Sequence, residues 1–459
     1  MKSKASILFK LFFVSALIFT KNIHAQDPLF VKISNLIDSV SISNLTNTIT
    51  WLEEPAGHNS RVNFTPGNDS AAAYIYNEFK KMPGITSVEL DTFYIESAEE
   101  PFNTRPLVNV IATFEGKTEP EKYYLLGAHL DASASNETNW DSLWQTIDAP
   151  GADDNATGVA AILEIARIIS DPINNFENDY TLKFAAFGAE EAGPVYSGYH
   201  IGSTHYAQNA KANSHQILGM ISIDLIGFND NYNYQAIATD TSNQNFVSFA
   251  EKFFIANNQF GIDLIMEGPP FFYGTWSDHL SFWSEGYPAI LMLEHAPPWD
   301  TSAFYQIKNP NLHTSNDTLG YLNMELVKKV TQLNLATFAS LSASLNLTDV
   351  KQNEDLIADE FLLLQNYPNP FNPSTKMKFK VPTSPFNPSP YQGEGNRERF
   401  ITLVVYDILG NKIAVLVNEI KTPGTYEVEF DGSKLTSGIY IYTLRSGSNF
   451  ISRKMILLK

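Results

Sequence analysis

The sequence contains no cysteine among its 459 residues. This absence excludes disulfide bonds, thiolate nucleophiles and zinc sites built from cysteine. Any metal ion that the protein binds must therefore be held by histidine, aspartate or glutamate side chains.

Basic residues are also scarce. The chain has 31 Lys and Arg against 50 Asp and Glu, which gives a formal net charge of -19. A surface with this excess of negative charge repels nucleic-acid phosphates and anionic lipids, so neither is expected as a partner. Hydrophobic residues make up 44% of the chain. That content is enough for large buried cores and excludes a mainly disordered protein.

Long apolar runs are lacking except near the start of the chain. Three lysines precede the apolar residues 11–20, and Ala25 follows at a position typical of a cleavage site. A basic start, a short apolar run and a small residue at the cut predict a secretory signal peptide over residues 1–25. The run is too short to span a bilayer comfortably, so we expect no transmembrane segment after signal cleavage.

The pattern of apolar residues predicts three further parts. Residues 26–345 alternate strand-like runs with helical patterns, which predicts an α/β domain whose mixed, mostly parallel sheet is flanked by helices. Residues 346–360 are polar and are interpreted as a linker. Residues 361–459 alternate apolar and polar side chains with a period of two, which predicts a small antiparallel β-sandwich. A loop over residues 382–399 is expected to interrupt this sandwich.

Several runs within the first domain are strong enough to predict single elements. Near-continuous apolar runs, typical of strands covered on both faces, span residues 108–114, 123–128, 181–189, 217–224 and 288–294. Helical periodicity predicts helices over residues 70–81, 157–169 and 324–345.

Acidic and imidazole side chains directly follow three of these predicted strands. His129 and Asp131 follow the run that starts at residue 123. Glu190 and Glu191 directly follow the run over residues 181–189, and Asp224 is the last residue of the run that starts at residue 217. In open parallel sheets, catalytic and ligand-binding groups collect at the carboxyl ends of the strands. We therefore expect these side chains to meet at one edge of the sheet.

Two further stretches complete a candidate metal site. Asp153, in the loop before the helix predicted at 157–169, is expected to join the metal ligands, whereas its neighbour Asp154 is assigned only a helix cap. His313 is the best candidate to complete the shell of a second metal ion. Imidazole and carboxylate groups suit zinc. The expected metal ligands are His129, Asp153, Glu191, Asp224 and His313.

The acidic residues of this set favour two metal ions. Three carboxylates and one bridging hydroxide balance the charge of two divalent ions, whereas around a single ion the three carboxylates would leave excess buried negative charge. Asp131 lies two residues from His129, so on a strand it can accept the second N–H of that imidazole. Glu190 is a free carboxylate beside Glu191. It is expected to act as a general base and to return the proton to the leaving amine.

Five motifs occur in a fixed order: HLD (129–131), GADDNATG (151–158), AEEAG (189–193), IDLIG (223–227) and LHTSNDTL (312–319). Together they resemble the co-catalytic two-zinc aminopeptidase family, which includes bacterial leucyl aminopeptidases. The resemblance covers nearly all of residues 26–345. It implies a zinc exopeptidase fold with two Zn²⁺ per chain.

The resemblance implies a role for each candidate ligand. His129 and Asp224 match the ligands of one zinc ion, and Glu191 and His313 match those of the other. Asp153 matches the aspartate that bridges both ions.

Two further features follow from the same resemblance. Glu190 matches the general base of the family. The family has a cis peptide bond after the bridging aspartate, so one is expected between Asp153 and Asp154.

Other histidines and aromatic residues carry weaker signals. The segment SDHLSFW (277–283) resembles a family segment that lines the site without binding zinc, and the roles of His279 and of the aromatic cluster 271–283 are left open. Five other histidines are interpreted as ordinary surface or core residues: His58, His200, His205, His215 and His295.

The C-terminal part resembles a second family. The stretches NYPNPFNPST, VVYDILGNKIAVL and SGIYIYTL resemble those of type IX secretion sorting domains. The resemblance spans residues 361–459 apart from the insertion at 382–399. It implies that type IX secretion machinery recognises this domain and that the protein is secreted or attached to the cell surface.

These inferences predict a secreted zinc-dependent aminopeptidase that hydrolyses N-terminal residues from peptides with a free N-terminus. A single-zinc glutaminyl cyclase is an alternative, because that group shares the fold. Its version of the GADDNATG motif, however, has serine after the metal-binding aspartate, where this chain has Asp154. A carboxypeptidase relative stays open, as does a non-catalytic surface protein that binds through its β-sandwich.

Overall fold

The computed structural model describes residues 27–228, 234–272, 274–294, 309–345, 362–364, 366, 368–381, 399–407, 411–422, 424–446 and 449–459. The predicted signal peptide and linker lie outside the described residues, as does nearly all of the loop predicted at 382–399. The chain divides into two compact units, with the boundary between Leu347 and Thr348. The domain limits drawn from the sequence, at residues 345 and 361, stay predictions.

The described part of the first unit contains nine α-helices: α1 (Pro28–Asp38), α2 (Ile42–Glu53), α3 (Pro66–Lys81), α4 (Trp140–Leu143), α5 (Thr157–Ser170), α6 (Ile201–Ala212), α7 (Gln244–Phe260), α8 (His279–Ser284) and α9 (Met324–Ser342). Helices α3, α5 and α9 are those predicted from periodicity. The start of α3 follows from its sequence, because the Thr65 side chain accepts the N–H of Asn68 and Pro66 occupies the first helical position.

Strands of the described first unit form one sheet: β1 (Ser87–Phe93), β2 (Leu107–Phe114), β3 (Glu119–His129), β4 (Tyr180–Phe187), β5 (Gln216–Ile223), β6 (Tyr234–Ala238), β7 (Ile265–Phe272) and β8 (Ala289–Leu293). Their order across the sheet is β1-β2-β4-β3-β5-β8-β6-β7. Strands β4, β3, β5 and β8 are parallel neighbours, as are β6 and β7. The pairs β1–β2, β2–β4 and β6–β8 are antiparallel. The predicted mixed, mostly parallel sheet is confirmed.

Helices cover both faces of this sheet, which explains why its strands are apolar throughout. Along β3, Leu126 and Ala128 belong to a buried cluster with residues of α5 and α9. The alternate residues Tyr123 and Leu125 belong to a separate cluster with residues of α6 and α8. Successive side chains of a strand point to opposite faces, so each face of the sheet needs its own apolar layer.

Three neighbouring parallel strands, in the order β4-β3-β5, end at the same edge of the sheet. His129 is the last residue of β3, Glu190 and Glu191 lie shortly after β4, and Asp224 directly follows β5. The topology therefore brings together the polar residues that follow these strands.

The second unit consists of antiparallel strands: β9 (Leu362–Leu363), β10 (Ser374–Val381), β11 (Arg399–Asp407), β12 (Lys412–Lys421), β13 (Gly424–Asp431), β14 (Gly438–Ser446) and β15 (Asn449–Leu457). They form a three-stranded sheet, β13-β10-β9, and a four-stranded sheet, β12-β11-β14-β15. Met377 and Phe379 of the first sheet share one buried cluster with Tyr442 and Leu457 of the second. The predicted β-sandwich is confirmed.

A buried arginine joins three segments of the first unit beneath the edge where the strands end. The guanidinium of Arg61 donates hydrogen bonds to the backbone carbonyls of Leu52, Leu130 and Gly151, at 2.7, 3.0 and 2.8 Å, and also to that of Pro150. Burial lowers the pKa of Arg61 to about 10, which leaves it charged at neutral pH. One cation thus satisfies four carbonyl groups that strands and helices do not pair.

Replacing Arg61 by methionine should destabilise the first unit strongly, because the buried carbonyls lose their donor. We expect Arg61→Met to lower the free energy of unfolding by roughly 3 kcal/mol or more. Urea unfolding followed by tryptophan fluorescence measures this unit alone, since all 6 tryptophans precede Thr348. The control is Arg105→Met, at a side chain that is 41% exposed, with an expected loss below about 1 kcal/mol. Equal losses of unfolding free energy in the two variants would contradict the proposed structural role of Arg61.

Candidate active site

The segments that follow β4 and β5 border a cavity of about 420 Å³. Its polar lining comprises Asp154, Glu190, Glu191, His200, Asp224, Thr275 and His313. Its apolar and aromatic lining comprises Tyr199, Leu225, Trp276 and Leu312. No lysine or arginine lies among these described lining residues, so the cavity is rich in carboxylates.

Two groups of side chains could hold a metal ion, and all their members except the buried His129 line this cavity. In the first, His129 Nε2 lies 3.0 Å from Asp154 Oδ1 and 3.4 Å from Asp224 Oδ1. In the second, His313 Nε2 lies 3.1 Å from Asp154 Oδ2 and 2.8 Å from Glu191 Oε1. The Asp154 carboxylate belongs to both groups, with one oxygen toward each histidine.

The structure corrects the expectation that Asp153 occupies this shared position. The Asp153 carboxylate lies elsewhere: Oδ1 accepts the N–H of Gly227 at 2.8 Å, and Oδ2 accepts a hydrogen bond from Asn309 Nδ2 at 2.9 Å. Burial raises the pKa of Asp153 well above its ordinary value, and the nearby acids Glu294 and Asp317 raise it further. Asp153 therefore belongs to a separate buried cluster of acids.

The cis peptide bond expected between Asp153 and Asp154 also lies one residue further on, between Asp154 and Asn155. The helix contact assigned to Asp154 belongs instead to Asn155, whose side-chain oxygen accepts the N–H of Gly158 in the first turn of α5 at 2.9 Å. The sequence placed the loop correctly, but its assignments were shifted by one residue.

Asp317 fixes the loop that carries Asp154. Its two carboxylate oxygens accept the backbone N–H groups of Asp153 at 2.9 Å and of Asp154 at 3.0 Å. Burial raises the pKa of Asp317 to about 7. Both residues lie in the distorted turn Ala152–Ala156, and their N–H groups bond to Asp317, so this carboxyl group holds the loop.

Asp131 connects the ends of β3 and β4. Its Oδ1 accepts the N–H of Glu190 at 3.2 Å, and its Oδ2 accepts the N–H of Glu191 at 3.1 Å and a hydrogen bond from Asn63 Nδ2 at 2.6 Å. The expected contact with His129 is at the outer limit of hydrogen-bond distance, with Asp131 Oδ1 3.5 Å from His129 Nδ1. The firm contacts of Asp131 thus hold the backbone of Glu190 and Glu191.

Glu190 lies beside both groups but belongs to neither. Burial raises the pKa of Glu190 well above its ordinary value, with further contributions from the nearby carboxylates of Glu191 and Asp224, and His129 opposes them. Its Oε1 lies 3.1 Å from Nε2 of His200. The sequence did not single out His200, because this histidine follows no apolar strand.

The charges of the two groups fit a metal ion. His129 Nε2 and Asp224 Oδ1 are buried, and within the described chain neither has a hydrogen-bond partner. The pKa of Asp154 is held well below its ordinary value: burial raises it, but the imidazoles of His129 and His313 outweigh burial. Buried, unpaired donor atoms beside several carboxylates need a cation, and nitrogen and oxygen donors of this kind suit a divalent ion such as zinc.

His279 lies apart from both groups. Its Nε2 is 2.7 Å from the carbonyl oxygen of Gly274, and its ring packs edge-to-face on Trp283 at 4.5 Å. Burial lowers the pKa of His279 to about 3. These contacts are those of a core residue. Within the aromatic cluster 271–283, Trp276 lines the cavity, whereas the side chains of residues 271–273 lie outside the described part.

Comparison with known sequences identifies two families. Residues 109–338 match the profile of Peptidase family M28. Residues 365–458 match that of the secretion system C-terminal sorting domain, which confirms the resemblance found for the C-terminal part.

Two curated relatives cover most of the first unit. A probable zinc metalloprotease of Pyrenophora teres f. teres is 27% identical over 349 residues, which is 67% of this chain and 68% of the relative. A probable leucine aminopeptidase of Trichophyton verrucosum is 26% identical over 333 residues, which is 72% of this chain and 82% of the relative.

Solved structures share the fold. The LapA aminopeptidase of Legionella pneumophila gives a TM-score of 0.51 at 20% identity, over 68% of this chain and 75% of that one. A glutaminyl cyclase of Fimbriiglobus ruber gives 0.51 at 17% identity, over 66% and 95%. At such low identities the likeness shows the fold alone, and it confirms the predicted fold class.

The two adjacent aspartates should differ sharply in metal binding. Asp154→Asn removes the charge that both groups share, so it should weaken zinc binding by more than the ~10–100-fold that loss of an outer-shell partner costs. Asp153→Asn should keep the wild-type amount of bound zinc, because its carboxylate points to Gly227 and Asn309. Equilibrium dialysis of chelator-stripped protein, with tryptophan fluorescence as the check on folding, measures both. If Asp153→Asn lost more zinc than Asp154→Asn, Asp153 would be the metal ligand instead.

Proposed function

We propose a function from one premise: the chain belongs to peptidase family M28. The proposal is that it is a zinc-dependent aminopeptidase, which hydrolyses the N-terminal residue from peptides. The observation that carries it is the position of Asp154, whose two carboxylate oxygens face two separate histidine and carboxylate groups. The relatives named as a zinc metalloprotease and a leucine aminopeptidase support it.

The residues present fit two zinc ions per chain. His129, Asp154 and Asp224 would hold one, and Asp154, Glu191 and His313 the other. When bound, zinc supplies Lewis acidity toward the scissile carbonyl and lowers the pKa of water. The three carboxylates of this set offset all but one of the positive charges of two divalent ions. The sequence suggested the same balance with Asp153 in place of Asp154.

Glu190 provides the proton transfer. It accepts a proton from the water molecule that attacks the scissile carbonyl, and it donates this proton to the amine nitrogen as the C–N bond breaks. A general base works best when its pKa lies near the working pH, and burial moves the pKa of Glu190 in that direction. Asp131 keeps Glu190 in place by accepting its backbone N–H.

The lining of the cavity favours a peptide terminus with a free amine. Its described residues include four carboxyl groups and neither lysine nor arginine. Three of these carboxyl groups are proposed zinc ligands, so their charge is offset when the ions are bound. The C-terminal carboxylate of a peptide, however, finds no lysine or arginine among the described lining residues with which to pair. This composition supports an aminopeptidase over a carboxypeptidase.

Glutaminyl cyclases with the same fold define the competing hypothesis. With Asp154 as the shared ligand, the residue to compare with their serine is Asn155 and not Asp154. One zinc ion per chain and cyclisation of an N-terminal glutamine would favour the cyclase. Two ions and release of the N-terminal residue favour the aminopeptidase.

The C-terminal sorting domain indicates export. We infer that the type IX secretion machinery recognises this domain and that the enzyme acts outside the cell or on its surface. Among the helices that the structure describes, none has both the length and the apolar character needed to cross a membrane.

Replacement of Glu190 by glutamine tests the chemistry. Glu190→Gln should lower kcat by roughly 10²–10⁴-fold, because the amide cannot accept the proton, while KM and the zinc content stay near those of the wild type. Hydrolysis of aminoacyl-p-nitroanilides measures this, with N-acetylated substrates and chelator-treated enzyme as blanks. The exposed Glu96 provides the control variant Glu96→Gln. Wild-type turnover by Glu190→Gln would disprove the assigned base.

Removal of the sorting domain tests localisation. In a bacterium that has type IX secretion, the full chain should appear at the surface or in the medium. The chain truncated after Leu347, at the boundary between the two units, should stay inside the cell envelope. Immunoblots of cell fractions measure this, and peptidase activity in lysates shows that the truncated chain has folded. Export of the truncated chain would rule out the sorting role.

A further inference from the structure

His200 contacts Glu190 directly, and the proposed reaction gives it no role. Its Nε2 lies 3.1 Å from Glu190 Oε1. His200 is 9% exposed and lines the cavity. It belongs to neither group of candidate metal ligands. Its place beside the general base therefore needs another explanation.

The backbone fixes His200 next to Glu190. The N–H of His200 donates to the carbonyl of Glu190 at 2.8 Å, and that of Ile201 donates to Ala189 at 2.8 Å. The N–H of Gly202 donates to Gly188 at 3.0 Å. Three consecutive hydrogen bonds thus join the start of α6 to the segment that carries the base.

The conformation of His200 is costly for its residue type. Its φ angle is 56°, in the left-handed region. Histidine is found there more often than most residues, but the conformation is still less favourable than an extended or right-handed helical one. Backbone strain of this kind persists where the surrounding structure imposes it, and it clusters at functional sites.

The imidazole lies between two segments of the chain. Besides its contact with Glu190, it lies near the backbone carbonyl of Trp276, which lines the same cavity. The ring thus faces the segment that carries the base and the segment that leads into α8. Its contact with Oε1 can hold the Glu190 side chain in one position.

We propose that His200 is a positioning residue, which fixes the Glu190 carboxylate by binding Oε1 and so leaves Oε2 for proton exchange with the substrate. This inference rests on the proposed aminopeptidase function. A glutamate side chain has several rotatable bonds, and Asp131 restrains only the backbone of Glu190. Misplacement of a catalytic group by about 1 Å can cost on the order of 10²-fold in rate.

Two amide variants separate positioning from folding. The amide nitrogen of glutamine reaches about as far as Nε2 of histidine, whereas that of asparagine is one methylene shorter. Asparagine adopts left-handed φ angles readily, so His200→Asn should fold at least as well as His200→Gln. For activity we expect the opposite order, with kcat lowered about 10–100-fold in His200→Asn and largely restored in His200→Gln. KM and zinc content should stay within twofold of the wild type.

The controls use the same helix and the same base. His205→Asn, in α6 but bound to Asp91 at 3.2 Å, should leave kcat unchanged. In the Glu190→Gln background, His200→Asn should lower the residual kcat by less than twofold, because its effect passes through Glu190. An effect of equal size in both backgrounds would overturn the proposal, as would equal kcat in the two His200 variants.

A measurement on the metal-free protein tests the contact without activity. With ¹⁵N-labelled histidine, the signals of His200 can be assigned by their loss in His200→Gln, and Glu190→Gln should shift them. Unshifted signals would overturn the contact. If the wild type fails to hydrolyse aminoacyl substrates, the proposed function is wrong. The spectrum would still test whether His200 contacts Glu190. If the wild type is active and His200→Asn keeps full kcat, the inference about His200 alone fails.

Discussion

Burial of several like-charged carboxyl groups in one place is the constraint that shapes the first unit. Asp131, Asp154, Glu190 and Glu191 are each at most 6% exposed, and such groups are costly unless N–H donors, imidazoles or cations face them. Asp131 is satisfied by backbone N–H groups, and Asp154 lies between two imidazoles. Asp224 keeps a buried oxygen without a described partner. The rest of the edge, including the loop held by Asp317 and the segments braced by Arg61, keeps these charges together until a metal ion binds.

Much of this arrangement could be predicted because it depends on regular strands. An apolar run has a visible end in the sequence, and parallel neighbours end at a common edge. His129, Glu190, Glu191 and Asp224 were found on that basis, and the structure brings them together. His313 follows no strand, so the sequence pattern alone gave only a weak indication that it is a metal ligand. That prediction depended mainly on the family resemblance. The helices α1 and α2 were not predicted, although Asp27 and Ser41 cap them in the usual way.

The failures concern irregular backbone. Between α4 and α5 the sequence has no periodic pattern of apolar residues, so nothing in it tells which of two adjacent aspartates faces the cavity. The answer depends on distant residues: Gly227 and Asn309 bind the Asp153 carboxylate, and Asp317 binds the loop N–H groups. The contact between His200 and Glu190 was not predicted, for the same reason. The approach of His200 to Glu190 comes from hydrogen bonds between two segments that the sequence separates by ten positions.

The attachment of two adjacent residues to one carboxylate has an evolutionary consequence. Since Asp131 accepts the N–H groups of both Glu190 and Glu191, any movement of Asp131 displaces the proton acceptor and a metal ligand together. Mutations that gradually shift this part of the backbone would therefore lower catalytic turnover and metal binding together. A descendant that still binds its metal ions but no longer catalyses the reaction could arise most simply by substitution of Glu190. Such a substitution would leave the backbone unchanged.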